Sequence, residues 1–420
     1  MRRLVVPLGL AAILFVPFSL AAAAAAGGAP FHDPTLAPEP AEPLTLEAAL
    51  TLAEAGNPTL AAAAKEVEAT QGAVIQAATI PNPQIVADTE GVRSATRTST
   101  AQVQIPLELG GKRSARVTAA ERGREVARAE LNGVRAELRA NAIAAFFAVL
   151  VAQERRALAS GSLDIAARGA AVAAGRVAAG KVPPLEQTRA EVEQANAQLE
   201  LAQAEAELRT ARVALAALWG NTAPRFTQAV GDLAALPSRP AGDALQARLE
   251  GSPLLAASRL AIERREAQVA VERSRRYPDI TVSVGAQRDN EVNRNMAVLG
   301  VAIPLPLFDR NQGNLYEAIR RADKAQDEYR ATQIRLRTEL LQASNQLDAA
   351  RVAASTLRTT VLPGAERAYQ VALRGFEAGK FGFLDVLDAQ RTLFQARLRY
   401  LDVLARTYQA ATSIDRIVGQ

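Results

Sequence analysis

The chain of 420 residues has no cysteine, one histidine and two methionines. Without cysteine there are no disulfides and no thiolate nucleophile, and soft-metal sites that need sulfur ligands cannot be built. The one histidine, His32, lies in a proline-rich stretch at 29–43 and reads as exposed and inert rather than as a ligand. No Ser/His/Asp set, glycine-rich phosphate loop or Cys/His cluster is present, so an enzyme and a metal-storage or sensor protein are both disfavoured. No catalytic residue, no metal ligand and no cofactor is assigned. Aromatic residues make up only 4% of the chain while alanine is abundant. A compact core normally uses more large side chains. Alanine is the best helix former and lets helices approach closely, so thin-walled helical packing is expected. The 49 basic and 44 acidic residues are interspersed, which is a solvated helical surface and not a stripe for nucleic acid. After residue 26 no apolar run of about 18 residues occurs, so no membrane-spanning helix is expected in the exported chain.

What is present begins with an export signal over 1–26; a membrane anchor that stays on is the other reading, disfavoured because no basic stop-transfer cluster follows. Arg2 and Arg3 precede an apolar stretch from Leu4 to Leu20 and small residues from Ala21 to Ala26. Its removal takes the net charge from +5 to +3, because Arg2 and Arg3 are its only charges. With no cysteine behind the signal, a lipid-anchored form is excluded. An extended N-terminal segment, 27–44, follows.

The rest is duplicated. "NPTLAAAAKEVEATQGAVIQAATIPNPQI" from Asn57 is answered by "SPLLAASRLAIERREAQVAVERSRRYPDI" from Ser252. "QIPLELGGKR" around Pro106 is answered by "AIPLPLFDRN" around Pro304, and "GRVAAGKVPPLEQTRAE" from Gly175 by "GFEAGKFGFLDVLDAQ" from Gly375. The first repeat spans 45–218, a Pro/Gly-bearing linker 219–243, and the second repeat 244–420. Each repeat reads as helix, β-hairpin, very long helix, helix. In the first these are a helix over 45–79, a hairpin over 83–108, a long helix over 111–178 and a helix over 184–218. In the second the hairpin spans 278–305 and the helices 312–378 and 383–418, with Pro363 starting a fresh helical segment at a first-turn position.

In the hairpins, apolar and polar residues alternate: Ala101, Val103, Ile105 and Leu107 against Thr100, Gln102 and Gln104. Strands of about ten residues are long enough to cross a bilayer at a tilt. Tyr277 and Phe308 flank the second hairpin where interfacial aromatics would sit. Two surface hairpins on a soluble protein remain the other reading. Four strands cannot close a membrane barrel, and an open sheet edge in lipid has unpaired backbone groups, so chains would have to pool strands. The proline-free 111–178 makes a helix of about 100 Å at 1.5 Å per residue. Leu185, Val192, Leu199, Ala206 and Val213 form a seven-residue seam, and Leu387, Phe394, Leu398, Leu401, Ala405 and Tyr408 a three-four stripe; both predict coiled-coil pairing.

The duplicated unit, the two hairpins and "GKFGFLDVLDAQRTLFQA" near the C-terminus together resemble the TolC-like outer-membrane efflux channels, over about 44–419. "IPLELGGKR" and "VLDAQRTL" are most similar to its heavy-metal branch, the outer-membrane component of cobalt–zinc–cadmium resistance systems. The resemblance implies a mainly α fold with a small β part. It implies a homotrimer with a twelve-stranded β-barrel in the lipid bilayer of the outer membrane, and a periplasmic α-barrel of long coiled-coil helices. The duct would be passive and would export divalent heavy-metal cations. It would work with a periplasmic membrane-fusion adaptor and an inner-membrane pump of the resistance-nodulation-division type, or alternatively an ABC exporter. Drug or organic-solute efflux, type I protein secretion and a non-pore periplasmic scaffold are the competing functions.

By the same resemblance the adaptor-docking tips are Gly180, Lys181 and Val182, and Gly379, Lys380 and Phe381. Asp385 and Asp388 match an acidic ring at the pore constriction. Phe376 and Phe381 stand where the family's best-known member has a polar latch, so packing at the entrance is expected instead. From spacing alone, Asp385 and Asp388 share one helical face. Acids in a first turn are also favoured by the helix dipole, by roughly 0.3–1 kcal/mol each. The first repeat carries Glu186 and Arg189 at these positions, so the doubled acid belongs to the second repeat.

Overall fold

A computed structural model describes residues 39, 43–240, 242–378 and 380–419; the export signal, His32, most of the N-terminal segment and Gly379 lie outside the described residues. The fold is mainly helical with a small β part. A two-residue strand β1 (Leu44–Thr45) leads into α1 (Leu46–Gly56) and α2 (Pro58–Ala77). The hairpin β2 (Gln84–Glu90) and β3 (Thr98–Leu107) precedes α3 (Lys112–Ala178) and α4 (Pro184–Ala217). After a short strand β4 (Ala229–Val230) come α5 (Gly242–Leu249), α6 (Pro253–Ser274) and the hairpin β5 (Ile280–Asp289) and β6 (Arg294–Ala302). The chain then forms α7 (Gln312–Thr356), a π-helical turn at Leu357–Val361, α8 (Leu362–Glu377) and α9 (Phe383–Val418).

The helix expected over 45–79 is divided at Asn57. Pro58 has no N–H to continue the ladder and suits a first turn. The Asn57 side chain caps α2 by accepting the Leu60 N–H at 2.9 Å, and its amide donates to the Leu218 carbonyl at 2.8 Å. The second half breaks at the matching place, between α5 and α6, again before a proline. The proline-free α3 runs unbroken for 67 residues. In the second half Pro363 would collide with the carbonyl four residues back. The helix widens ahead of it, and the Leu362 N–H reaches the Leu357 carbonyl, five residues back.

Large side chains collect in two similar cores. One joins Leu44, Phe146, Leu215, Trp219 and Phe226; the other joins Leu245, Leu336, Leu340, Ile414 and Ile417. The first packs α3 against the end of α4, and the second packs α7 against the end of α9. Residues 219–230 therefore do more than connect the repeats: Trp219, Phe226 and Ala229 are buried, and β4 pairs in parallel with β1.

Along the α3–α4 pair the buried residues are alanines at seven-residue spacing, Ala159, Ala166 and Ala173 on α3 and Ala190, Ala197 and Ala204 on α4. The seam predicted at Leu185, Val192, Leu199, Ala206 and Val213 is not buried within the chain; Leu185 is 57% and Leu199 70% exposed. Alanine permits the closest helix approach, so the chain uses it internally and leaves the larger residues outside.

The two hairpins join into one antiparallel sheet of order β2-β3-β5-β6. The register sets Leu107 opposite Ile280 and Thr98 opposite Asp289, so one strand from each half forms the central pair.

Candidate functional site: the sheet face and the helical tips

Register turns the strand alternation into two continuous faces. Ile85, Val103, Val284 and Leu299 form one row across all four strands, and Ile105, Val282 and Val301 form another. Ile85, Val284, Leu299 and Val301 are exposed, so this apolar face has no cover among the described residues. The other face carries Gln104 beside Ser283, and Thr100 beside Gln287. Strands β2 and β6 are the sheet's outer edges among the described residues, each with a row of backbone groups unpaired within the sheet. No helix among the described residues is long and apolar enough to cross a membrane, which says nothing of a β-barrel.

The tips lie at the other ends of the long helices. After α3, Gly180 takes a left-handed φ of 66°, open to glycine without strain. The Gly180 N–H donates to Val177 O at 2.9 Å and the Lys181 N–H to Arg176 O at 2.9 Å, closing the helix end. After α8 the Lys380 N–H donates to Gly375 O at 2.8 Å, the same bond one repeat later. Lys181 and Lys380 are exposed and Val182 is half-buried. The Phe381 ring lies on Gly375, where an added Cβ would collide with it. Phe376 lies under the Arg176 guanidinium, 4.4 Å from its ring centroid, which joins the end of α8 to the end of α3.

Asp385 and Asp388 are both exposed, on the first turns of α9, but the structure gives them different surroundings. The Asp385 carboxylate accepts the Gly382 N–H at 2.8 Å and so caps its own helix. Asp388 lines a groove of about 480 Å³ between α9 and α4, together with Arg189, Val192, Glu193 and Arg391. Arg391 closes that groove with an ion pair to Glu193 at 2.7 Å.

Sequence reasoning missed a stripe of acids on α4: Glu186, Glu193, Glu200 and Glu207 recur every seven residues. Their regular spacing was the available signal, hidden by the better-known apolar heptad. Arg155 of α3 pairs with Glu207 at 3.0 Å and also with Asp402 of α9, so three helices meet on one guanidinium. Burial raises the Glu200 carboxyl above its ordinary range, Glu193 adds to the rise and Arg391 opposes it. Tyr408 was placed in a helical stripe only. Its ring stacks on Phe147 at 3.5 Å and its hydroxyl donates to the Ala235 carbonyl at 2.8 Å, clamping the inter-repeat segment. Burial, with Asp232 nearby, pushes the Tyr408 hydroxyl up to about 12. No group of three or more His, Cys, Asp or Glu side chains that could hold a metal ion occurs among the described residues.

A family profile described as "Outer membrane efflux protein" matches residues 49–221 and 244–420. The chain is 62% identical over 420 residues, all of both proteins, to the cobalt-zinc-cadmium resistance protein CzcC of Cupriavidus metallidurans. It is 36% identical over 297 residues, 68% of each protein, to the nickel and cobalt resistance protein CnrC of the same species. In fold it is similar to the outer membrane protein VceC of Vibrio cholerae, with a TM-score of 0.74 and 21% identity, over 89% of this chain and 96% of that one.

Proposed function

This chain belongs to the outer membrane efflux protein family, and we propose from that premise that three copies form the outer-membrane duct of a divalent-metal efflux system. The observation that carries the reading is the sheet: four strands and, among the described residues, one apolar face without cover and two open edges. Such a sheet is stable in lipid only when every edge is paired. Three copies supply twelve strands and close it. The exposed seam of Leu185, Val192, Leu199 and Val213 on α4 then meets the neighbouring copy, and the long helices continue as a tube into the periplasm. Cargo follows the relatives, which are named for resistance to cobalt, zinc, cadmium and nickel. The duct is passive, and with no cysteine and one histidine to supply soft-metal ligands, selection falls to its partners. Those partners are a periplasmic adaptor and an inner-membrane pump of the resistance-nodulation-division type.

The tips are the docking points, through Gly180, Lys181 and Val182 on one turn and Gly379, Lys380 and Phe381 on the other. Asp385 and Asp388 from three copies place six carboxylates at the narrow end, where they attract cations and repel anions. Phe376 and Phe381 hold that entrance by packing, on Arg176 and Gly375.

Complementation of a strain lacking the gene tests the reading. The chain restores growth in zinc, cobalt and cadmium and leaves tolerance to dyes and antibiotics unchanged; rescue against dyes alone would defeat the metal assignment. Single-channel recording in asymmetric salt tests the constriction. Asp385→Ala/Asp388→Ala loses cation preference and divalent block, and an unchanged reversal potential would reduce both acids to helix-start residues.

A further inference from the structure

The strands end on a junction that is strongly basic. Chain segments from both halves converge there: Lys112 on Asp279 at 2.7 Å ties one half to the other, while Arg116 on Glu108 and the Asn311 amide on the Glu272 carbonyl at 2.9 Å hold within each half. Three ion pairs, counting Arg275 with Glu272, neutralise themselves. Among the described residues Arg113, Arg273, Arg276 and Arg310 remain exposed with no carboxylate partner, against Asp309. Arg113 donates to the Ala78 carbonyl at 2.7 Å. The far rim of the same sheet differs. Residues 88–97 and 288–294 hold four arginines, Arg93, Arg97, Arg288 and Arg294, and four acids, Asp88, Glu90, Asp289 and Glu291.

The unpaired arginines do not stand in a polar setting. Tyr277, Leu305, Leu307 and Phe308 are exposed at the same level, Phe308 at 91%. They continue the apolar face of the sheet down to the basic residues. Exposed aromatics and aliphatics with arginines directly beyond them make the pattern of a surface that meets a bilayer at headgroup depth. An imbalance of charge confined to one rim means the two leaflets are met differently.

We infer that this junction is a binding collar for anionic phospholipid headgroups, with Arg273, Arg276 and Arg310 engaging their phosphates while Tyr277 and Phe308 lie against the acyl chains. The collar rests on the membrane reading above and deepens it, because it gives the bilayer leaflet on the helical side a chemical preference.

The test uses the full-length protein inserted into vesicles of phosphatidylcholine and phosphatidylglycerol at equal mole fractions. The vesicles are floated, the protein is extracted in mild detergent and purified, and the retained lipid is analysed. The wild type keeps phosphatidylglycerol at least threefold over phosphatidylcholine. Arg273→Gln/Arg276→Gln/Arg310→Gln returns the ratio to one, and the corresponding lysine substitutions restore it. Arg93→Gln/Arg97→Gln/Arg294→Gln at the far rim leaves it unchanged. Wild-type lipid at the mixing ratio, or enrichment that survives the junction substitutions, overturns the collar alone. Enrichment lost only with the far-rim substitutions overturns it too. Protein that fails to float with the vesicles overturns the membrane reading and the collar with it.

Discussion

Helices α4 and α9 hold the same place in the two halves, each following a tip, yet they are packed differently. α9 lies against α3, α7 and α8 and buries Leu393, Leu401, Leu404, Tyr408 and Ile414. α4 lies mainly against α3, buries alanines along most of its length and a leucine, Leu215, only at its end, and leaves Leu185, Val192, Leu199 and Val213 exposed. Duplication supplied two equivalent helices. One became the inner support of the chain and the other its boundary. Equal substitutions in the two should therefore have unequal consequences.

The largest effect falls on α9. Leu404 is fully buried, and Leu404→Ala removes its side chain from a packed site at a cost of about 2–5 kcal/mol. Denaturant unfolding followed by circular dichroism reads the loss. On α4, Leu199→Asp leaves the stability of the chain within about 0.5 kcal/mol, as for other exposed positions. It weakens association of copies about tenfold or more, roughly 1.4 kcal/mol, as cross-linking in detergent across a dilution series would show. A monomer destabilised as much as by Leu404→Ala would erase the distinction between the two helices.

The helix starts give a smaller contrast. Asp385→Ala removes the bond to the Gly382 N–H and costs about 0.5–1 kcal/mol, whereas Glu186→Ala, in a helix without a side-chain cap bond, costs only the dipole share of about 0.3 kcal/mol. Amide exchange at 382–386 against 185–187 separates them. The smallest effect is that of Glu200. Its carboxyl titrates higher in the folded chain than in the unfolded one, so the folded state binds the extra proton. Stability therefore falls as pH rises from the ordinary glutamate range through the raised value, and is level above it. Glu200→Gln removes that group's share, and the urea midpoint at pH 7 would rise relative to that at pH 4.

Alternation of residues and freedom from proline carried much of the fold in plain sight: the hairpin strands and α3 follow from them. The break at Asn57 is written in Asn57-Pro58 but is masked by the alanines on either side, which favour helix throughout. The internal seam of α3 and α4 was obscured for a related reason. Leucine heptads draw the eye because leucine is the usual coiled-coil residue, while alanine heptads look like helix propensity alone. At the tip, spacing put Asp385 and Asp388 on one face, as they are, but could not show that a carboxylate at the third helical position turns back to its own cap. Pairing across repeats, such as Arg176 over Phe376 and Arg391 on Glu193, joins residues about 200 positions apart and needs the fold to be seen.

The π-turn at Leu357–Val361 has a consequence for angular phase. One extra residue in a helical turn rotates everything beyond it by about 100° about the axis, at 3.6 residues per turn. Side chains of α8, Phe376 among them, therefore point about a quarter-turn away from where an unbroken α7 would have aimed them, while α3 carries its phase unshifted along its whole length. Deleting a single residue between 357 and 361 would restore the phase of an unbroken helix and swing Phe376 off Arg176, whereas the same deletion in α3 has no wide turn to absorb it.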